Sequence, residues 1–330
     1  MTIHLCAASI FCMNIHILAD EIIYGRRLTR QDSFLSEFET CELSELCREA
    51  DRIQKHFKKD SIELCAITSG RNGKCGENCK FCAQSAWYAT GCTVREFPEP
   101  ESVVAEAKRC KQNGINRFSI VSSGKALPES DTEKAARAFR LVKEETGLSV
   151  CASFGFLTDA QLDRMKEAGV TRIHCNVETS ERFFPEICTT HSFTMKLQMI
   201  QRARAKGFSI CSGGIIGMGE RFADRIDLAL TLAELGVESV PLNVLTPIPG
   251  TPLENQAPLS EEEILRTTAM FRFIHPATDL RLAGGRKLYD SKKALESGAS
   301  ASITGDYLTT YGYTVQSDKE MIHRMGRTMR

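Results

Sequence analysis

Cys75-Gly-Glu-Asn-Cys79-Lys-Phe-Cys82 sets three thiols in a C-x3-C-x2-C run, in a loop opened by Ser69, Gly70 and Gly73. Thiolates at these spacings can converge on one metal cluster, and the glycines let the backbone wrap close to it. A structural zinc site takes four closed ligands, commonly in paired short spacings. Three cysteines without a nearby fourth suit a four-iron cluster whose last iron stays open to a substrate. Zinc remains the alternative on these residues alone.

Such a loop needs a rigid scaffold. From about residue 101 the chain repeats an amphipathic helix, a glycine and a short run rich in β-branched residues. Val103, Val104, Ala107 and Cys110 share a helical face that stops at Gly114, before a strand over 115–121. Further helices stop at Gly147, Gly169, Gly207, Gly236 and Gly298, before strands over 148–153, 170–177, 208–212, 237–245 and 299–304. Thr158 with Gln161 and Ser260 with Glu263 are capping pairs; the helix opened by Ser260 leads to a strand over 278–283. With 61–68 as the first strand, eight strands alternate with helices or loops, which predicts an α/β fold, a (β/α)8 TIM barrel. A doubly wound open sheet is the structural rival. Residues 1–60 read as an N-terminal helical extension with its best helix over 43–57, 61–305 as the barrel and 306–330 as a polar C-terminal tail, in a single structural domain overall.

Barrel sites form at the carboxyl ends of the strands, and a second group of chemically apt residues falls there. Cys151 lies in strand three, Cys175 in strand four, Cys188 just after it, Cys211 in strand five and Arg281 in strand seven. Soft and cationic groups on neighbouring strands suit a second cluster within the lumen. Cys6, Cys12, Cys41, Cys47 and Cys110 lie in or near helices and read as small buried apolar groups.

With 42 basic and 42 acidic side chains the formal charge is zero, which argues against nucleic acid as the main partner. At 42% hydrophobic and 25% charged residues the composition excludes intrinsic disorder. The least polar stretch, Leu5 to Ala19, is interrupted by Ser9, Asn14 and His16 and is too short to span a bilayer. A cytoplasmic protein that keeps its thiols reduced is the expectation.

The three-cysteine run, the aromatic before its last cysteine and its place after the first strand resemble the radical S-adenosylmethionine superfamily. The resemblance implies that Cys75, Cys79 and Cys82 hold a [4Fe-4S] cluster whose open iron chelates the amino and carboxylate groups of S-adenosylmethionine. An electron passed into the sulfonium then releases a 5′-deoxyadenosyl radical, able to take hydrogen from an unactivated carbon. Phe81 would pack against the adenine, or merely pack its own loop.

Within the superfamily, Ser61–Cys65, Cys79–Ser85, His174–Ser180, Ile210–Glu220, Val240–Asn243 and Arg281–Arg286 resemble the branch that inserts sulfur into dethiobiotin, across about residues 15–315. That resemblance implies a sacrificial auxiliary iron–sulfur cluster deeper in the barrel. In the branch's usual pattern three strand cysteines and an arginine hold a [2Fe-2S] cluster. Cys151, Cys211 and Arg281 match, but Ser119 stands where the strand-two cysteine is expected. Cys188 is the expected replacement and Cys175 the weaker candidate; the cluster is either [2Fe-2S] or larger, such as four irons with an added sulfide.

Position by position, Asn176 and Glu178 match an Asn-x-Asp pair for the ribose hydroxyls and the ureido ring, and Asn243 a further ureido contact. Lys196 stands where an arginine grips the methionine carboxylate, its alternative being a solvated helix lysine. Gly213, Gly214, Gly217 and Gly219 would let the strand-five loop approach the cofactor, and Thr309 with Thr310 would bind the substrate carboxylate. The resemblance also implies a flavodoxin- or ferredoxin-like electron donor, iron–sulfur assembly proteins and a homodimer. The rival readings are another small-barrel superfamily member, a maturase or mutase, and a non-catalytic iron–sulfur or zinc protein. Cys151, Cys211 and Arg281, with the amides of Asn176 and Asn243, favour the sulfur-inserting enzyme.

Overall fold

The computed structural model describes residues 14–305 and 312–330. The extension begins with α1 (Ile15–Ile23), capped by the Asn14 side chain, and α2 (Leu43–Lys58), capped by Glu42. Leu18, Ile22, Leu46, Ala50 and Ile53 form the buried faces that join these helices to the barrel wall.

The barrel follows as β1 (Ser61–Ser69), α3 (Pro100–Gln112), β2 (Arg117–Val121), α4 (Glu129–Thr146), β3 (Ser149–Ser153), α5 (Asp159–Glu167) and β4 (Arg172–His174). Then come α6 (Phe184–Ile187), α7 (Phe193–Ala205), β5 (Ser209–Cys211), β6 (Gly214–Ile216), α8 (Phe222–Glu234), β7 (Ser239–Val244), α9 (Glu261–Ile274), β8 (Asp279–Leu282), α10 (Ser291–Leu295) and β9 (Ala301–Thr304). β5 and β6 are two halves of one stave: both pair with β7, through Cys211 opposite Ser239 and Gly214 opposite Leu242.

Every pairing between these strands is parallel. β1 pairs with β2 on one side and, through Glu63 opposite Ala301, with β9 on the other, so the sheet closes. This is the expected (β/α)8 barrel, and the open doubly wound sheet is excluded. Both capping pairs form as reciprocal boxes, at Thr158 with Gln161 and Ser260 with Glu263. The apolar core lies between sheet and helices, where Phe118, Phe139, Phe271 and Phe273 are fully buried. Alternate strand residues turn inward instead, and most of those are polar.

The last residues carry more structure than their polarity suggests. α11 (Val315–Arg324) is followed by β10 (Thr328–Met329), which pairs in parallel with Ser61 and Ile62 at the start of β1. Ile322 and Asp318 are buried, and Arg286 grips the Asp318 carboxylate with two nitrogens at 2.9 and 2.6 Å.

Candidate active site in the barrel lumen

The loop after β1 folds back on itself over the carboxyl end of the barrel. Cys75 N donates to Gln84 O at 2.9 Å and Ala86 N to Cys75 O at 2.8 Å, tying the two flanks together. Cys82 N donates to Cys79 O at 3.0 Å, closing the turn between the last two thiols, and Trp87 Nε1 donates to Gly76 O at 2.9 Å. Cys75, Cys79 and Cys82 are all half-buried. Phe81, Cys82, Ala83 and Gln84 reach down to line the cavity that enters the lumen.

Below them the period-2 alternation of the strands decides which side chains face inward. β1 offers Cys65 and Ile67, β2 Arg117 and Ser119, β3 Cys151, β4 Arg172 and His174, β5 Cys211 and β8 Arg281. Arg281 Nη1 lies 3.1 Å from Cys65 Sγ, Arg117 Nη1 3.5 Å from Cys151 Sγ, and Cys211 Sγ 3.4 Å from Ser239 Oγ. Ser119 Oγ, next to Cys151, donates to the Cys151 carbonyl at 3.2 Å.

Glu63 ties Arg281 and Arg117 together from the floor. Burial pushes its carboxyl up, but Arg281 and then Arg117 outweigh that and hold it at about 2. Burial pushes the Cys65 thiol up to about 12 against the pull of Arg281, and raises Cys151 against Arg117 and Arg172. Arg172 donates Nε to Ser209 Oγ at 3.1 Å, while its buried Nη1 has no hydrogen-bond partner among the described residues. Three thiols beside three guanidiniums, one of which has a donor unfilled among the described residues, form a basin suited to an anionic, sulfur-ligated group.

Two expected members do not join this basin. Cys175 falls between the inward residues His174 and Asn176, so the same alternation turns it outward into the apolar core. Cys188 ends the short α6 and lies at the barrel mouth, its Sγ 3.7 Å from Cys79 Sγ and 3.3 Å from His191 Nδ1. Cys79 donates to Cys188, which holds the Cys79 thiol up and the Cys188 thiol down. The structure thus keeps Cys188 and Cys175 apart from the lumen thiols, and the further thiol that lines the cavity with Cys151, Cys211 and Arg281 is Cys65, on β1. Its inward position follows from the alternation of β1, two residues before Ile67.

The polar residues sort by the same rule. Asn176 and Asn243 both line the cavity. Asn176 Oδ1 accepts from Gly213 N at 3.0 Å, and Asn243 is fixed from both ends, donating to Gly214 O at 3.0 Å and accepting from Gly284 N at 2.9 Å. Gly213 and Gly214 are glycines because nothing else fits: a Cβ there would meet Pro241 O at 1.9 Å or Glu178 O at 2.3 Å. Gly217, at φ 93°, donates its N–H to Glu220 Oε1 at 2.8 Å, which pins the strand-five loop.

Glu178 sits at φ 75° with Oε1 3.8 Å from Lys196 Nζ, and its Oε2 is buried without a hydrogen-bond partner among the described residues. Lys196 is only 14% exposed, and burial, which lowers its pKa, is outweighed by Cys175 and Glu178. The solvated-lysine reading is thus excluded. Thr309 and Thr310 lie outside the described residues.

Two family models match the chain. Residues 71–233 match the radical SAM superfamily and residues 241–328 the biotin and thiamin synthesis associated domain. The barrel is shared with solved structures, among them methylornithine synthase, at TM-score 0.82 and 20% identity over 95% of this chain and 97% of that one. The FeFe-hydrogenase maturase HydG from Carboxydothermus hydrogenoformans gives TM-score 0.79 and 18% identity over 96% of this chain and 79% of that one. These two are related in fold. The chain is accordingly an enzyme of the radical SAM superfamily, which brings with it a [4Fe-4S] cluster and S-adenosylmethionine.

Sequence relatives narrow the class. The chain is 48% identical to the biotin synthase of Alkaliphilus metalliredigens over 95% of its own length and 99% of the relative's. It is 48% identical to that of Clostridium beijerinckii over 94% and 98%, and 44% to that of Akkermansia muciniphila over 95% and 98%. It belongs to the biotin synthase family.

Proposed function

We propose that this chain converts dethiobiotin to biotin by radical insertion of sulfur, with the radical cluster on Cys75, Cys79 and Cys82 and a sacrificial auxiliary cluster on Cys65, Cys151, Cys211 and Arg281. The observation that carries this reading is the stacking of two thiol triads in one lumen, one at the rim and one on the floor, in a member of the biotin synthase family.

Both donor sets fit what they would hold. The rim run offers three closely spaced thiols, which leaves one iron for the cofactor, while Cys92, later in the same loop, turns its Sγ to Thr93 O at 3.9 Å. On the floor, Arg172 has a buried donor without a hydrogen-bond partner among the described residues, and Arg281 already points a nitrogen at sulfur. When bound, the first cluster supplies the electron that cleaves S-adenosylmethionine and the second supplies the sulfur.

The protein's part is positional. Burial holds the Cys65 and Cys151 thiols toward their protonated form in the cluster-free chain, and ligation would displace those protons. Arg281, Arg117 and Arg172 would balance the negative charge that thiolates and sulfides bring there. Phe81 lines the rim side of the cavity, where it would help exclude water from the reacting groups. Asn176 and Asn243, both anchored by backbone, present fixed amides to a planar ureido group. Lys196 offers a cation to the cofactor carboxylate from beside Glu178.

A flavodoxin- or ferredoxin-like protein is the donor this reading requires, with iron–sulfur assembly proteins rebuilding the floor cluster and a homodimer as the working unit. No helix among the described residues is long and apolar enough to cross a membrane. Anaerobic incubation with dethiobiotin, dithionite and S-adenosylmethionine tests the proposal. Biotin is the expected product, and 5′-deoxyadenosine formed without any biotin would refute the sulfur-inserting role. Iron and sulfide counts beyond those of the radical cluster assign the auxiliary cluster.

A further inference from the structure

The mouth of the barrel holds a third group of metal-binding side chains, of which the two clusters use only Cys79. One donor atom each from Cys79, Cys188 and His191 lie within 4.8 Å of one another. Cys188 and His191 are buried. Cys79 Sγ and Cys188 Sγ are 3.7 Å apart. Two thiolates bound at about 2.3 Å to one tetrahedral ion stand about 3.8 Å apart.

The histidine is prepared for the same task. Its Nδ1 meets Glu77 Oε2 at 2.5 Å, so Nδ1–H donates to the carboxylate and Nε2 keeps its lone pair. Nε2 lies 3.8 Å from Cys188 Sγ, close to the roughly 3.6 Å expected between a thiolate and an imidazole nitrogen sharing one tetrahedral ion. A carboxylate behind a metal-bound imidazole is the usual supporting arrangement. Glu77 is itself held by Thr190 Oγ1 at 2.8 Å, and the rings of Phe156 and Phe184 flank His191 with centroids at 5.3 and 5.6 Å. Asn78 Oδ1 accepts from Thr189 N at 3.0 Å and Thr190 N at 3.3 Å, and so fastens the segment carrying Cys188 to the cysteine loop.

We propose that in the cluster-free chain Cys79, Cys188 and His191 bind one divalent ion of borderline softness, Fe2+ or Zn2+, with solvent in the fourth position. Two thiolates and a neutral imidazole leave a divalent ion uncharged overall, as its partial burial requires. Resting on the assignment of Cys79 to the radical cluster, the site has a consequence: one sulfur serves either the lone ion or the cluster. Fe2+ held there is placed for incorporation as the cluster forms, whereas Zn2+ held there blocks it.

The test uses the full chain, stripped of clusters and reduced, titrated anaerobically with Co2+ as a spectroscopic stand-in. Cys188→Ser should bind one equivalent fewer than the unaltered chain, or bind its rim ion at least tenfold more weakly, with loss of thiolate-to-cobalt absorption. His191→Gln should do the same. Prior loading with one equivalent of Zn2+ should slow assembly of the four-iron cluster in the unaltered chain but not in Cys188→Ser, and X-ray absorption should count one sulfur fewer at zinc in that variant.

Equal Co2+ stoichiometry, affinity and sulfur count in Cys188→Ser and the unaltered chain would overturn the proposal. Cys75→Ala separates it from the functional reading, because it should lose the four-iron cluster while keeping the Co2+ site. An intact cluster in Cys75→Ala would sink the ligand assignment of that reading and leave the mononuclear site standing.

Discussion

Arg281 Nη1 reaches Cys65 Sγ at 3.1 Å across the floor of the barrel, although 216 residues separate them in the chain. β8 and β1 are not adjacent; each pairs with β9, and the inward parity of both brings guanidinium and thiol together over it. Removal of this thiol gives the most direct test of the floor site. Cys65→Ala should keep the four irons of the rim and cleave S-adenosylmethionine, yet lose the auxiliary iron and lower biotin formation by at least about 100-fold. Cys188→Ala, once reconstituted, should make biotin. Iron per chain and product analysis read both outcomes, and the reverse pattern would restore Cys188 as the floor ligand.

Lys196 tests the cofactor end. A charge-assisted hydrogen bond is worth about 1.5–3 kcal/mol, so Lys196→Met should raise KM for S-adenosylmethionine by about tenfold or more, with a smaller effect on kcat. Lys196→Arg should restore binding, because the planar fork matches a carboxylate. The split between KM and kcat for 5′-deoxyadenosine formation checks it. A Met variant with unchanged KM would leave Lys196 only as the partner of Glu178, 3.8 Å away.

The contrast between Cys65 and Cys188 marks what was legible. Six of the eight strands announced themselves through apolar runs after helix-ending glycines, and the rim triad through spacing alone; both are local signals. The floor site depends on which residues face inward on strands far apart in the chain. That parity depends on strand register, and it turned Cys175 outward between His174 and Asn176. Cys65 lay in a recognised strand, but nothing local distinguished it from a packing cysteine. Cys188 belongs to a loop, where alternation has no meaning, so its place beside Cys79 could come only from the fold. The folded end of the chain was hidden for a related reason: its burial is mostly ionic rather than apolar.

That ionic burial has a measurable weight. Arg286 and Asp318 are 1% and 2% exposed, and removing one partner of a buried pair costs about 3–5 kcal/mol because the other charge is stranded. Asp318→Ala should lower Tm by about 5 °C and expose α11 to proteolysis first. A shift of a degree or less would mean that Arg286 finds another acceptor, and the helix would then owe its place to Ile322 and β10.

His275 supplies a pH dependence away from either cluster. It is fully enclosed against Phe271, with Nε2 donating to Ala229 O at 2.8 Å. Burial pushes its pKa down, the Ala229 carbonyl opposes that and Arg272 adds to it, and the ring titrates at about 4 instead of 6.5. The unfolded chain therefore takes up this proton at higher pH than the fold does. The stability it confers is complete above pH 6.5 and fades as pH falls through 4, by up to about 3 kcal/mol. His275→Gln keeps a donor for Ala229 but cannot titrate. Between pH 6.5 and 4 its unfolding free energy should fall less steeply than that of the unaltered chain, measured by urea melts at each pH. Parallel slopes would show that His275 is already protonated in the fold, with its charge held by the carbonyls around it.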